Sequence, residues 1–174
     1  HIFQVTGTSA SYFRSVKVTE NAGIESQESV VVYRDTASQG PDKAKQLAEE
    51  LILREKVKML AGLELSPYAS ALADISKQAK VPVVIMNAAT ANIVRGSPYF
   101  VRVSMTIPQH VVALGQWATQ NGIKKVYTIV SDYAPGHDAE QYFTKSFKAS
   151  GGEIVGSART PQQETNFGPY LERV

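Results

Sequence analysis

The sequence predicts an α/β protein, and three observations carry that reading. From Ser29 onward, short β-branched or apolar runs alternate with stretches whose apolar residues recur every three or four positions. Proline stands at the start of several of those stretches, at Gly40-Pro41, Ser66-Pro67 and Pro108, where its missing N–H is not needed. Three of the runs also close on small, hydroxylated or amide-bearing loops. Val57–Gly62 leads to Leu65-Ser66-Pro67, Val81–Met86 to Asn87-Ala88-Ala89-Thr90, and Val126–Val130 to Ser131-Asp132-Tyr133-Ala134-Pro135-Gly136. Such a succession implies a parallel sheet with helices on both faces and right-handed crossovers.

Taken in order, Ile2–Val5 is assigned a short strand and Ser29–Arg34 the next. Pro41 opens a helix whose inner face is Ala44, Leu47, Ala48, Leu51 and Ile52. Val57–Leu60 is a strand. Ser66-Pro67 has the form of an N-cap and first helical residue, followed by the stripe Ala69, Leu72, Ala73 and Ile75. Val83–Met86 is a continuous apolar run, the pattern of a strand covered on both faces. Ala91–Gly96 is a short helix or turn, and Tyr99–Val103 a strand. Pro108 opens a helix carrying Val111, Val112, Leu114, Trp117 and Ala118 on its buried side, and Asn121-Gly122 ends it. Val126–Val130 is a strand. Asp138, with Gln141 three residues on, has capping-box form and begins a helix to about Ser150. Ile154–Ala158 is a further strand.

Composition narrows the function classes. At 174 residues the chain holds one well-buried domain, or one and part of a second. Its 43% hydrophobic and 20% charged content is that of an ordinary globular protein. A net charge of +2, with basic residues scattered, advertises neither a nucleic-acid nor a membrane surface. No apolar run approaches the roughly 18 residues that span a bilayer. Cysteine is absent, which excludes disulfides and thiolate metal sites and fits either redox compartment. With no charged-then-apolar leader at the start, two expectations stand: a cytosolic protein, or a mature form whose signal has been removed.

Ligands of open parallel sheets gather at the carboxyl ends of strands, so the loops after the runs are the candidate site. Ser66 caps a helix in one reading; in another that does not exclude it, its hydroxyl and the helix-start amides hold a carboxylate. Ala88, Ala89 and Thr90 are small enough to let a ligand approach the backbone, and Thr90 donates or accepts a hydrogen bond. Tyr133 and Tyr12 either pack at the surface or meet an apolar or aromatic part of a ligand. His137 has two readings: part of a loop and a capped helix, or a catalytic group with Asp132, Asp138 and Glu140. Neither His110 nor His137 has a second histidine three or four residues away, which speaks against metal. No Gly-x-Ser-x-Gly elbow, Gly-x-Gly-x-x-Gly or Walker-type loop occurs, so neither a serine nucleophile nor a nucleotide cofactor is supported, and no cofactor is expected.

From Tyr33-Arg34-Asp35 onward the chain resembles the type I periplasmic solute-binding proteins of ABC importers, the branched-chain amino acid and aromatic acid binding family. The carriers are Ala48-Glu49-Glu50-Leu51-Ile52, Lys56-Val57, Ala61-Gly62, Ala79-Lys80-Val81-Pro82, Met86-Asn87-Ala88-Ala89-Thr90 and Ser97-Pro98-Tyr99-Phe100-Val101-Arg102. They continue in Asn121-Gly122-Ile123-Lys124-Lys125-Val126, the run from Ser131 to Asp138, and Gly151-Gly152-Glu153.

The resemblance implies a non-enzymatic, extracytoplasmic protein that captures a small carboxylate between two hinged lobes and delivers it to an ABC permease. It places the ligand's polar head at Ser66, Ala88, Ala89 and Thr90, an aromatic contact at Tyr12, and Tyr133 and Pro135 on the second lobe. Residues 1–107 are expected to form the first lobe and 108–174 the start of the second, with chain crossing near Ser104–Pro108. The segment between Thr6-Gly7 and Arg34-Asp35 is about ten residues shorter than the family pattern, and Val174 falls about midway through it. The chain is therefore expected to be truncated and, if it ends at Val174, to self-associate through the unfinished lobe or to bind its solute weakly. The alternative keeps the fold and makes the chain the ligand-sensing domain of a regulator or receptor.

Overall fold

The computed structural model describes residues 2–6, by backbone alone, and residues 31–174. The chain divides into two compact units. One runs through Ala88 and takes up Asn92–Ser104; the other comprises Ala89–Ala91 and Met105–Val174.

The first unit is built on β1 (Ile2–Thr6), β2 (Val31–Asp35), β3 (Met59–Gly62), β4 (Val83–Ile85) and β5 (Phe100–Arg102). All pair in parallel, in the order β2-β1-β3-β4-β5. Ile2 stands opposite both Val31 and Met59, and Val83 opposite both Leu60 and Phe100. The order runs outward from β1 to β2 and then reverses toward β3. Sheets of this kind take ligands beyond the carboxyl ends of the strands at such a switch point, which here lies between β1 and β3.

Helix α1 (Pro41–Leu53) starts as the sequence predicts, with Gly40 at φ +92° before Pro41. Ala44, Leu47, Ala48 and Leu51 are buried, and Ile52 packs against the core they help form. Each fully buried leucine contributes roughly 1.5–3 kcal/mol through burial alone. Arg34 reaches from β2 to Glu50 Oε1 (2.9 Å from Nε, 2.7 Å from Nη2) and to Glu55 Oε1 at 3.0 Å. These two hydrogen bonds to one carboxylate oxygen hold the Glu50 carboxyl below its ordinary range and raise the Arg34 guanidinium.

Strand β3 begins two residues later than predicted. Val57 belongs instead to the turn that closes α1: Lys56 has φ +54°, the Val57 amide donates to the Leu51 carbonyl at 3.2 Å, and the side chain enters the core. The predicted helix after Ser66 is two pieces, α2 (Ser66–Ala71) and α3 (Ala73–Ala79), broken at Leu72. Leu72 is nevertheless fully buried, so the apolar stripe survives the break. Behind α3, Ser76 Oγ donates to the Val81 carbonyl at 3.0 Å and pairs with Ser97 Oγ at 3.1 Å, which satisfies two buried hydroxyls. The predicted short helix or turn is a single 3₁₀ turn at Ile93–Gly96.

The second unit contains α4 (Ile107–Gln120), β6 (Lys125–Ser131), α5 (Ala134–Ala149), β7 (Glu153–Thr160) and the short α6 (Gly168–Leu171), which the sequence reading did not anticipate. Strands β6 and β7 pair in parallel, with Thr128 opposite Ser157 and Val130 opposite Arg159. Thr106 caps α4 in a full capping box. Gln109 Oε1 accepts the Thr106 amide at 2.6 Å, and Thr106 Oγ1 accepts the Gln109 amide at 3.4 Å.

Two expectations fail in this unit. Leu114 and Trp117, assigned to the buried stripe of α4, are 50% and 54% exposed. The buried ridge is Gly115 and Ala118, because α5 comes so close at Gly115 that a methyl group there would lie 3.0 Å from Ser146 and the Phe147 amide. Ser146 Oγ completes the contact by donating to the Val112 carbonyl at 2.7 Å. Helix α5 also starts four residues before Asp138. Tyr133, in extended geometry, precedes it, Pro135 lies in its first turn, and no side chain caps it. The predicted Asp138–Gln141 capping box therefore does not form; Asp138 is a turn inside the helix, and its carboxylate is used elsewhere.

Candidate functional site

In the first unit the loops after β3 and β4 are laced together. Met86 donates its amide to the Gly62 carbonyl at 2.7 Å, Ala88 to the Leu63 carbonyl at 3.0 Å, and Asn87 Nδ2 to the Glu64 carbonyl at 3.1 Å. This lacing needs an unusual backbone. Gly62 has φ +124° and Leu63 φ +68°, a conformation that a non-glycine residue adopts only when its surroundings hold it. Leu63 is held because its side chain is buried in the core. The turn delivers Ser66 to the start of α2 at the carboxyl end of β3.

Ser66 is the first helical residue rather than the cap: Leu65 precedes it with φ −103° and ψ 141°, and no side-chain cap bond forms. This corrects the capping half of the sequence reading. Ser66 is 2% exposed and Ala88 1%. Ser66 and Ala88 thus stand on two loops that their own backbone bonds bring side by side. Leu63, which organises those loops, is not singled out by the sequence, and Asn87 is read there only as a member of its loop.

In the second unit, Ala89 and Thr90 are half-buried. The Ile107 amide donates to the Ala89 carbonyl at 2.9 Å, and the Ala91 amide donates to Asp138 Oδ2 at 2.7 Å. Both ends of this three-residue segment are thereby tied to α4 and α5. Tyr133 is half-buried at the start of α5, and Pro135 is buried one step further on. Gly136 follows them where the backbone closes directly against Ser131, leaving no room for a Cβ. Tyr12 lies outside the described residues.

His137 Nε2 pairs with Asp132 Oδ1 at 2.6 Å in an exposed contact. Asp138 is directed to Ala91 and Glu140 to Arg159, at 2.7 and 2.9 Å. The acidic residues proposed around His137 therefore do not converge on it, apart from Asp132. Among the described residues no group of three or more His, Cys, Asp or Glu gathers to hold a metal ion. A groove of about 580 Å³ runs between α5 and the β6–β7 sheet, past Thr128, His137, Glu140, Lys145 and Arg159; two of the candidate catalytic residues line it, and none of the predicted ligand residues does.

Residues 2–174 match the family described as Periplasmic binding protein, and the chain belongs to that family. The Leu/Ile/Val-binding protein homolog 6 of Brucella abortus (strain 2308) is 45% identical over 144 residues, which is 83% of this chain and 37% of that protein. The solute-binding protein of an ABC transporter from Rhodopseudomonas palustris BisB5, solved in complex with 3,4-dihydroxybenzoic acid, is 39% identical with a TM-score of 0.88. Its counterpart from R. palustris HaA2, in complex with p-hydroxybenzoic acid, is also 39% identical, with a TM-score of 0.89. In both, 99% of this chain is covered and 50% of the other. The chain spans about half the length of those proteins. Its fold is the type I periplasmic-binding fold.

Proposed function

We propose that the protein of which this chain is part is an extracytoplasmic solute-binding protein that captures a small carboxylate between two lobes and hands it to an ABC permease. An aromatic acid of the hydroxybenzoate type is the favoured solute, with a branched-chain amino acid as the competitor. The observation that carries the reading is the 39% identity across 99% of the chain to two proteins whose structures hold hydroxylated benzoic acids. The laced loops bearing Ser66 and Ala88 support it, since they set a hydroxyl and a helix start at the switch point of a parallel sheet.

In this reading Ser66, Ala88, Ala89 and Thr90 take the carboxylate, and Tyr133 and Pro135 meet the body of the solute. Residues 1–107 and 108–174 are the first lobe and the start of the second, except that Ala89–Ala91 and Met105–Ile107 group with the second unit. Closure about the crossing excludes water and strengthens each polar contact. No step of bond making is involved. Titration calorimetry of the full-length protein against benzoate, 4-hydroxybenzoate, 3,4-dihydroxybenzoate, leucine and valine tests the proposal. Saturable binding of an aromatic acid supports it, and no saturable heat with any of the five rejects it.

Self-association of the 174-residue chain belongs to the same proposal. It is supported by the exposed Leu114 and Trp117 on α4, and light scattering that finds only a monomer rejects it.

A further inference from the structure

We infer that Asp138 is a positioning residue for solute capture: its carboxylate holds the Ala89–Ala91 segment so that Thr90 is presented to the solute's polar head. The inference rests on the proposed function and adds to it a residue outside the ligand shell. Asp138 is half-buried in the second turn of α5 and accepts the Ala91 amide at 2.7 Å, across 47 residues of sequence. A charge-assisted bond of that length is among the stronger single hydrogen bonds a protein makes.

The contact is more than a helix decoration. Asp138 caps nothing, since α5 begins at Ala134, and a turn inside a helix its backbone amide needs no side-chain partner. The carboxylate is spent on a segment that has no regular structure of its own, sits next to Thr90, and is fixed at its other end by the Ile107 amide on Ala89. Two bonds therefore bracket Thr90, one on each neighbouring residue. The start of α5 is itself closely seated, because Gly136 packs directly on the Ser131 backbone with no room for a Cβ. A small error in Asp138 is thus transmitted to Thr90 rather than absorbed by the helix. Positioning a polar group before the ligand arrives avoids the ordering cost that binding would otherwise carry.

The test uses the full-length protein, titration calorimetry with 4-hydroxybenzoate, and the variants Asp138→Ala, Asp138→Glu, Asp138→Asn, Thr90→Ala and Asp138→Ala/Thr90→Ala. Removing a hydrogen bond to a charged group is expected to weaken binding roughly tenfold to a hundredfold in Asp138→Ala. Asp138→Glu keeps the charge but displaces the acceptor by one methylene, so it weakens binding as well and stands in should the alanine variant fail to fold. Asp138→Asn keeps an oxygen in place and recovers most of the loss. The double variant is expected to bind no worse than Thr90→Ala alone, since the two residues act as one unit. Wild-type affinity in Asp138→Ala and Asp138→Glu, no recovery in Asp138→Asn, or losses that simply add would each overturn the assignment while leaving the proposed function standing. A wild-type protein that binds none of the carboxylates overturns both.

Discussion

Leu63 keeps a left-handed backbone, φ +68°, while its carbonyl accepts the Ala88 amide at 3.0 Å. The side chain is 1% exposed, so core packing holds the conformation on which the β3 and β4 loops depend. Burial here does two jobs: it stabilises the first unit and it holds the turn that leads to Ser66. Leu63→Ala is expected to destabilise the protein by about 2–5 kcal/mol, the range for emptying a leucine site. Carboxylate affinity should fall with it. Urea denaturation measures the first effect and calorimetry the second; an unchanged midpoint would remove Leu63 from this role.

Gly136 gives a steeper test in the second unit. A Cβ there would overlap the Ser131 carbonyl, and backbone cannot swing aside as a flexible side chain does. Gly136→Ala should cost at least about 1–3 kcal/mol, the usual range for overpacking, and shift the start of α5. Gly115→Ala, where the nearest atoms (the Phe147 amide nitrogen and Ser146 Cβ and Oγ) are at 3.0 Å, is expected to cost less because that contact is tight rather than an outright overlap. Thermal melts of the two variants order the effects; a Gly136→Ala melt equal to wild type would contradict the close packing.

Acid should weaken the Arg34–Glu50 clasp. The hydrogen bond from Arg34, opposed by desolvation, lowers the Glu50 pKa in the folded chain. A depressed carboxylate contributes stability that is complete above its unfolded value, roughly 4.3, and disappears as pH drops through the lower folded value. The raised Arg34 value has no part in this window, since its contribution is complete at every pH below the ordinary guanidinium range. Wild type should therefore exceed Glu50→Gln in stability at pH 7, modestly for a surface pair, and lose that advantage near pH 3. Denaturant midpoints at the two pH values decide it; a gap of equal size at both would be the wrong outcome.

His137→Ala separates capture from catalysis. Among the described residues His137 pairs with the exposed Asp132 carboxylate, while Asp138 and Glu140 are engaged with Ala91 and Arg159. Solute affinity is expected to stay within about twofold of wild type, as for a surface pair of small net worth. A turnover activity abolished by His137→Ala would restore the catalytic reading.

Local signals made most of the architecture legible. Gly40-Pro41 opens α1 and Asn121-Gly122 closes α4 because the backbone chemistry of those residues acts on their immediate neighbours. The apolar run at Val83–Ile85 becomes an inner strand for the same reason, as its side chains have no polar face to offer water. What escaped prediction depends on partners distant in sequence. Leu114 and Trp117 look like core by spacing alone, yet Gly115 sets the face of α4 that α5 covers. Asp138 has the spacing of a cap, and only the earlier start of α5 shows that its carboxylate belongs to Ala91. At the site, the small-residue composition of Ala88-Ala89-Thr90 was readable, whereas the strained Leu63 turn was not, because no leucine advertises a positive φ.

The most direct measurement is calorimetric titration of the full-length protein and its Ser66→Ala variant with 4-hydroxybenzoate. The account predicts saturable one-site binding by wild type, weakened about tenfold or more when the Ser66 hydroxyl is removed. Saturable binding that Ser66→Ala leaves untouched would contradict the assigned carboxylate grip, and the absence of binding to any small carboxylate would contradict the function itself.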